Sequence, residues 1–159
     1  MPIYTHPFEC DDCNQYPKED LVIFQPDEEV DDWLMFYPER NLIHVHFGVS
    51  TPDEAANTAE TIFIRDQLLR WVKQYPEKKF CILIDMSRAD DSEYVSDQSK
   101  KMYAELLRHP QYGLAVFYGM RPGMTFLINM LLFFSRTPAK IVRTKAEADA
   151  AYNDWFKTL

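Results

Sequence analysis

Phe80–Asp85 reads Phe-Cys-Ile-Leu-Ile-Asp, and this run decides the fold. Five apolar residues closed by an acid are typical of a strand that is buried on both faces of a parallel sheet. Two further strands are predicted at Gly113–Tyr118 and Lys140–Arg143. Segments of helical character separate these strands, and this alternation predicts an α/β domain with right-handed crossovers.

Four helices are predicted around these strands. The first begins at Ser50-Thr51-Pro52-Asp53-Glu54, where a hydroxyl cap, an early proline and two acids suit a helix N-terminus, and it ends at Tyr75-Pro76. The others are predicted over Glu93–Arg108, Pro122–Arg136 and Lys145–Phe156.

A β-hairpin is predicted before the first helix. Two strand-like runs, Trp33–Tyr37 and Leu42–Phe47, flank the turn Pro38–Asn41. Alternation in the second run places Ile43, Val45 and Phe47 on one face and Leu42, His44 and His46 on the other. A short apolar run, Leu21–Phe24, suits an added edge strand. Together these elements predict a single, mostly parallel sheet with an N-terminal hairpin and about four helices.

Charge divides the chain unevenly. The 159 residues are 47% hydrophobic, which is enough for one domain with a real core, and the formal net charge is −8. Residues 1–33 hold ten acidic side chains against Lys18 alone, whereas the remainder has a net charge near +1. We therefore predict an acidic, proline-rich, partly irregular leader over 1–31 and an α/β domain over 32–159. Such acidity argues against a nucleic-acid partner, because phosphate binding needs basic surface.

Localisation and chemistry are predicted largely from missing signals. Three cysteines do not form a disulfide framework, and no signal peptide precedes Pro7. The most apolar stretch, Met124–Phe134, is too short to span a bilayer. The cysteines and the lack of targeting signals predict a cytoplasmic protein. Because there are only four glycines and no nucleotide-binding or nucleophile motif, no cofactor and no catalytic activity are predicted.

The C-terminal half resembles the STAS/SpoIIAA-like proteins. The resemblance rests on a strand ending in glycine (Gly113–Gly119), an apolar helix ending Leu-Leu-Phe-Phe-Ser-Arg136, the strand Ala139–Thr144 and the segment Lys145-Ala-Glu-Ala. Ile84-Asp85-Met86-Ser87 is also similar to the Asp-x-Ser that ends a central strand in STAS domains. The resemblance covers residues 33–159 and implies a protein-interaction or regulatory module; a related branch is similar to the SEC14-like lipid-binding fold.

The resemblance also implies a place for serine phosphorylation, by which some anti-sigma-factor antagonists of the family are switched. The family's phosphoacceptor lies in an Asp-Ser-Ser-Gly segment just beyond the Asp-x-Ser. Here that region reads Arg-Ala-Asp-Asp-Ser-Glu-Tyr over residues 88–94, and the motif is missing. Ser92 is then the nearest candidate phosphoacceptor, and Ser96 the next.

The carboxyl ends of the strands form the first candidate site. Asp85, Ser87 and Arg88 follow one strand, and Arg121 follows the next, just before Pro122-Gly123 opens a helix. Ligands of open α/β sheets collect at this edge, and a helix N-terminus beside an arginine attracts a carboxylate or a partner's phosphoserine. In the structural alternative, Ser87 or Ser92 caps the following helix, and Asp85 pairs with Arg88 or Arg121.

The apolar helix is the second candidate site. Residues 124–134 are apolar nearly all round, whereas a helix on a sheet surface should carry a polar stripe. Its proposed contact residues suit adaptable surfaces; they are Met124, Phe126, Met130 and Phe134. In the alternative, the leader or a homodimer partner buries this helix.

No zinc site is predicted, although the leader carries part of a zinc-binding pattern. His6, Cys10 and Cys13 have a zinc-like spacing, but a structural site needs a fourth ligand. His44 and His46 complete one only if the leader folds onto their strand. The simpler interpretation is a leader with reduced thiols.

The sequence therefore predicts a cytoplasmic STAS/SpoIIAA-like module that binds another protein, or a second copy of itself, without catalysis. The alternative is a carrier or sensor that holds an apolar or lipid-like ligand beneath helix 124–134. A third hypothesis is a hydrolase that uses Asp85 or the histidine pair.

Overall fold

The computed structural model describes residues 16–26, 31–48, 53–89, 96–123, 128–130, 133 and 138–159. In this part of the chain one sheet has six strands in the order β1-β2-β3-β4-β5-β6. The strands are β1 (Asp20–Phe24), β2 (Asp32–Tyr37), β3 (Leu42–His46), β4 (Phe80–Asp85), β5 (Tyr112–Tyr118) and β6 (Ala139–Ile141). The α/β class is confirmed.

The sheet is mixed. β1, β2 and β3 form an antiparallel meander, and β3, β4, β5 and β6 are parallel to one another. The Pro38–Arg40 turn between β2 and β3 is a 3-10 helix, and Asn41 leaves it in the left-handed conformation at φ 51°. The predicted hairpin is therefore present, and β1 adds the edge strand at Leu21–Phe24 that its apolar run indicated.

Three α-helices complete the described secondary structure: α1 (Glu54–Lys73), α2 (Asp97–Leu107) and α3 (Lys145–Phe156). Residues 122–123, 128–130 and 133 are also helical, where the third helix is predicted. Across the described residues, no helix is both long and apolar enough to cross a bilayer.

Two cores lie on opposite faces of the sheet. One contains Leu34 of β2 and Ile82 of β4 and is covered by α1 and α2, with Ile128 buried in the same cluster. The other contains Met35 of β2 and Leu83 of β4 and is covered by α3. Because successive side chains of a strand point to opposite faces, each central strand contributes to both cores.

The helix caps differ from those predicted. Asp53 caps α1, since its carboxylate accepts the Ala56 N–H, so the expected hydroxyl cap is wrong. Ser96 caps α2 by accepting the Ser99 N–H, so the predicted cap at Ser87 is wrong, and Ser92 lies outside the described residues. Both true caps lie at the residue where extended backbone turns into helix, which is where side-chain oxygens reach the open N–H groups.

Arg40, in the turn between β2 and β3, contacts two parts of the chain that are distant in sequence. Its guanidinium lies 3.7 Å from the ring centroid of Tyr16 and 5.5 Å from that of Tyr152. The Tyr152 hydroxyl also donates to the Arg40 carbonyl at 2.5 Å. These contacts fasten α3 to the turn between β2 and β3.

Candidate functional site

The carboxyl ends of β3, β4 and β5 meet at one edge of the sheet, next to the start of β2. In register, Trp33, His46, Asp85 and Tyr118 form one row across four strands. Because each lies on the same face of the sheet, four polar or aromatic side chains are brought together there. This row is the centre of the candidate site.

His46 and Asp85 form a buried pair in this row. His46 Nδ1 lies 2.7 Å from Asp85 Oδ2, and the two residues are only 1% and 6% exposed. Asp85 Oδ1 accepts the Ser87 backbone N–H at 2.9 Å. Burial alone would raise the pKa of Asp85, but the hydrogen bonds from His46 and Ser87 outweigh it and the pKa lies below its usual value.

His44 extends this cluster along β3. Its Nε2 lies 2.7 Å from the Tyr118 hydroxyl, and its ring centroid lies 4.1 Å from that of His46. His44 is completely buried. The arrangement joins two histidines, a carboxylate and a phenol, which are groups able to exchange protons, but it keeps them out of contact with solvent.

Arg88 is held by an acid other than the predicted one. Its Nη2 donates to Asp31 Oδ1 at 2.9 Å, and the Trp33 Nε1–H donates to Asp31 Oδ2 at 3.3 Å. Asp85 therefore pairs with His46, and the predicted pairing of Asp85 with Arg88 or Arg121 is wrong. The reason is register, because His46 lies directly beside Asp85 on the neighbouring strand.

Two carboxyl groups meet on the opposite face of the same edge. Asp32 is fully buried and its Oδ1 accepts the Gly48 N–H at 2.9 Å, and the Glu60 carboxyl of α1 is its side-chain neighbour. Burial, followed by the neighbouring Asp32, raises the pKa of Glu60 to about 10, and burial also raises that of Asp32. Carboxylates only accept, so a hydrogen bond between the two requires a proton on one of them.

The surface above these buried groups carries the other predicted residues. Ser87 and Arg121 are exposed, and Arg88 is half-buried. On the helical stretch beyond Arg121, Met130 is 37% exposed and Phe133 is 79% exposed, three residues later and thus on the same helix face. Of the residues predicted at this end of the sheet, Asp85 is therefore buried, whereas Ser87 and Arg121 are exposed.

Several predicted residues lie outside the described part of the chain. They are His6, Cys10, Cys13, Ser92, Met124, Phe126 and Phe134. Ser96, the second candidate phosphoacceptor, is buried as the cap of α2. Among the described residues no group of three or more His, Cys, Asp or Glu side chains could hold a metal ion. Cys81 is fully buried, and burial raises the pKa of its thiol, which opposes nucleophilic use.

Sequence reasoning missed two parts of the site. The Asp32–Glu60 pair joins the start of a strand to the middle of a helix, and no local pattern indicates that contact. The partnership of His46 with Asp85 had a signal, since alternation placed both histidines on one face and Asp85 closed the neighbouring strand. Tyr118 closes the next strand in the same way.

Comparisons of the chain with models of protein families, with curated proteins and with solved structures found no match. The STAS/SpoIIAA-like resemblance therefore stays a prediction from the sequence, and function has to be argued from the geometry above.

Proposed function

We propose that this chain is a non-catalytic module that binds another protein through the helical stretch that contains Met130 and Phe133. The observation that carries the proposal is the 79% exposure of Phe133, with Met130 exposed on the same face. Exposed large apolar side chains in neighbouring positions are the usual mark of a contact surface. The STAS/SpoIIAA-like type and a cytoplasmic location belong to the same proposal, and their support is the sequence.

Exposed cationic side chains before and after this helical stretch indicate the charge of the partner. Arg121 at its start, and Lys140 and Arg143 just beyond it, are all exposed. Exposed cationic side chains on the segments that flank this stretch in sequence favour a partner whose surface carries acids. We therefore propose an acidic protein as the partner, with an apolar centre for Met130 and Phe133.

The buried state of the ionisable cluster supports the absence of catalysis. A general acid or base must come within hydrogen-bonding reach of a substrate. His44 and His46 are 0% and 1% exposed, and their facing atoms are already bonded to Tyr118 and Asp85. The hydrolase hypothesis thus needs an opening of the sheet edge, whereas the interaction hypothesis needs only the exposed helix.

The carrier hypothesis remains the alternative. It places an apolar ligand beneath helix 124–134, where Ile128 is buried against the core that includes Met86 and Ala89. A ligand in that position would have to displace Ile128. Native mass spectrometry of the purified protein distinguishes the two functions, because a carrier retains a small molecule and a binding module does not.

Substitution of Phe133 tests the proposal. We expect Phe133→Ser combined with Met130→Ser to abolish the capture of specific proteins from host lysate while leaving the melting temperature unchanged, because both side chains are exposed. Phe156→Ser is the matched control, since it removes a 41% exposed phenylalanine from α3. Equal capture by all three proteins would contradict the proposal, as would a co-purified small molecule.

A further inference from the structure

Within the described ranges, no strand pairs with the outer edge of β6. β6 is the last strand of the sheet in the described part of the chain and pairs only with β5 there. The backbone groups that bond to β5 belong to alternate residues. The Pro138 carbonyl accepts the Ala115 N–H at 3.0 Å, and the Val142 N–H donates to the Phe117 carbonyl at 2.9 Å. The backbone groups of Ala139 and Ile141 therefore point away from the sheet, where an added strand would meet them.

The side chains along this edge suit an extended partner. Ala139 and Ile141 are half-buried and pack on the edge of the core, while Lys140 between them is exposed. Arg143 is exposed at the end of the strand, beside Gly119, which donates to its carbonyl. An added strand would thus meet two cationic side chains along its length.

Topology links this edge to the exposed helix. The connection between Tyr118 and Ala139 has to return from the carboxyl end of β5 to the amino end of β6, because the two strands are parallel. Phe133 consequently precedes the start of β6, and Arg121 lies at the same sheet edge as Arg143.

We propose that β6 receives an extended, acidic segment of the partner protein as a seventh strand of the sheet. This inference rests on the proposed function and specifies how the partner binds: main-chain hydrogen bonds supply affinity, and acids opposite Lys140 and Arg143 supply selectivity.

A second copy of this chain fits the edge less well. Pairing of β6 with another β6 brings Lys140 and Arg143 of both copies together, and like charges across a strand pair are destabilising. At the opposite edge, one donor at the start of β1 is already satisfied, because Asp20 Oδ1 accepts the Leu21 N–H at 2.9 Å. The acidic heterologous strand is therefore the occupant that we propose.

The test uses the full chain and an eight-residue peptide of alternating glutamate and valine, blocked at both ends. We expect binding to slow hydrogen exchange at the Ala139 and Ile141 amides by about tenfold or more, as measured by NMR. A peptide of alternating lysine and valine is the matched control and should leave these amides unprotected. Protection by both peptides, or by neither, would overturn the proposal.

Two sets of variants locate the strand. Ala139→Pro removes one outward N–H without touching the ladder to β5, and Lys140→Glu with Arg143→Glu reverses the charge. Both should weaken peptide binding by about tenfold in fluorescence anisotropy. Lys101→Glu with Lys157→Glu makes the same charge change at exposed residues elsewhere and should bind within about twofold of wild type.

The remaining outcomes separate this inference from the proposed function. If the Met130/Phe133 variant loses protein capture but Ala139→Pro and the charge-reversed variant retain it, the function stands and the added strand is wrong. If the amides of β6 become protected with rising protein concentration and no peptide, a second copy occupies the edge and the acidic partner is wrong.

Discussion

Asp85 shows at the scale of a single residue why a strand-end acid need not be a binding residue. A buried carboxylate is tolerated only where donors replace its water. His46 and the Ser87 backbone provide them at 2.7 and 2.9 Å. Its charge is thus used to hold β3, β4 and the following turn together.

Substitution of Asp85 tests this role. Asp85→Asn should lower the free energy of unfolding by about 2–4 kcal/mol, because it weakens a charge-assisted bond inside the protein. Because the pKa of Asp85 lies below its usual value of 3.8 when folded, its stabilisation is present above that pH and is lost as the pH falls. Urea denaturation between pH 3 and 7 should show that acid-dependent loss in wild type and less of it in the variant.

The control for this experiment is Asp66→Asn. Asp66 is exposed and pairs only with its neighbour Arg65 on the surface of α1, so its loss should cost less than about 0.5 kcal/mol. Equal losses from the two substitutions would show that the His46 pair contributes nothing particular.

At the scale of elements, α1 and α2 meet through hydroxyl groups. Thr61 Oγ1 donates to Ser99 Oγ at 2.8 Å, and Ser96 Oγ lies 2.9 Å from Ser99 Oγ. The Ser96 N–H donates to Asn57 Oδ1 at 3.0 Å, which ties the N-cap of α2 to the first turn of α1. A polar contact between two helices is stable here because its members satisfy one another.

This network predicts unequal costs for the two helix caps. Ser96→Ala should destabilise the protein by about 2 kcal/mol, since the hydroxyl both caps α2 and joins the network, whereas Asp53→Ala removes an exposed cap and should cost about 1 kcal/mol. Thermal unfolding of both variants measures the difference. A Ser96→Ala loss no larger than that of Asp53→Ala would show that the network adds nothing to the cap.

Gly48 allows two strands to approach each other closely. A Cβ at this position would lie 2.2 Å from the Asp31 carbonyl oxygen, closer than atoms can approach. Glycine therefore allows the end of β3 to pass against the start of β2, and this approach delivers the Gly48 N–H to Asp32.

At the scale of the whole molecule, the Asp32–Glu60 pair links global stability to pH. The pKa of Glu60 is about 10 in the folded protein against 4.5 ordinarily, so the folded state binds more protons than the unfolded state between these values. Its contribution is fully present below about pH 4.5 and is lost progressively as the pH rises towards 10. Arg88 and Asp31, close to Asp32, shift its pKa in opposite directions and do not reverse this sign.

Glu60→Gln should remove this dependence. An amide at this position can donate to the Asp32 carboxylate, whose Oδ2 is buried without a hydrogen-bond partner among the described residues. We expect the free energy of unfolding of the variant to exceed that of wild type by about 1–2 kcal/mol at pH 8. Measured by chemical denaturation, this free energy should also change less between pH 5 and pH 9 in the variant than in wild type. Parallel profiles for the two proteins would contradict a shared proton.

Local pattern was sufficient for most elements. The bounds of β4 and α3 agree with prediction at every residue, because an uninterrupted apolar run and a cap followed by alanines are complete local signals. The start of α1 was recognised but its cap was misassigned, since Ser50, Thr51 and Asp53 are all acceptable caps. Only the extended backbone at Asp53 selects among them.

The sequence by itself determined the α/β class, the faces of β3 and the presence of acids and histidines at strand ends, because these follow from periodicity along short segments. Only the tertiary structure decided their partners: His46 takes Asp85, Arg88 takes Asp31, and Glu60 meets Asp32. Strand register and helix packing set these distances between residues remote in sequence. Burial then decides the outcome, leaving Asp85 inside and Phe133 outside.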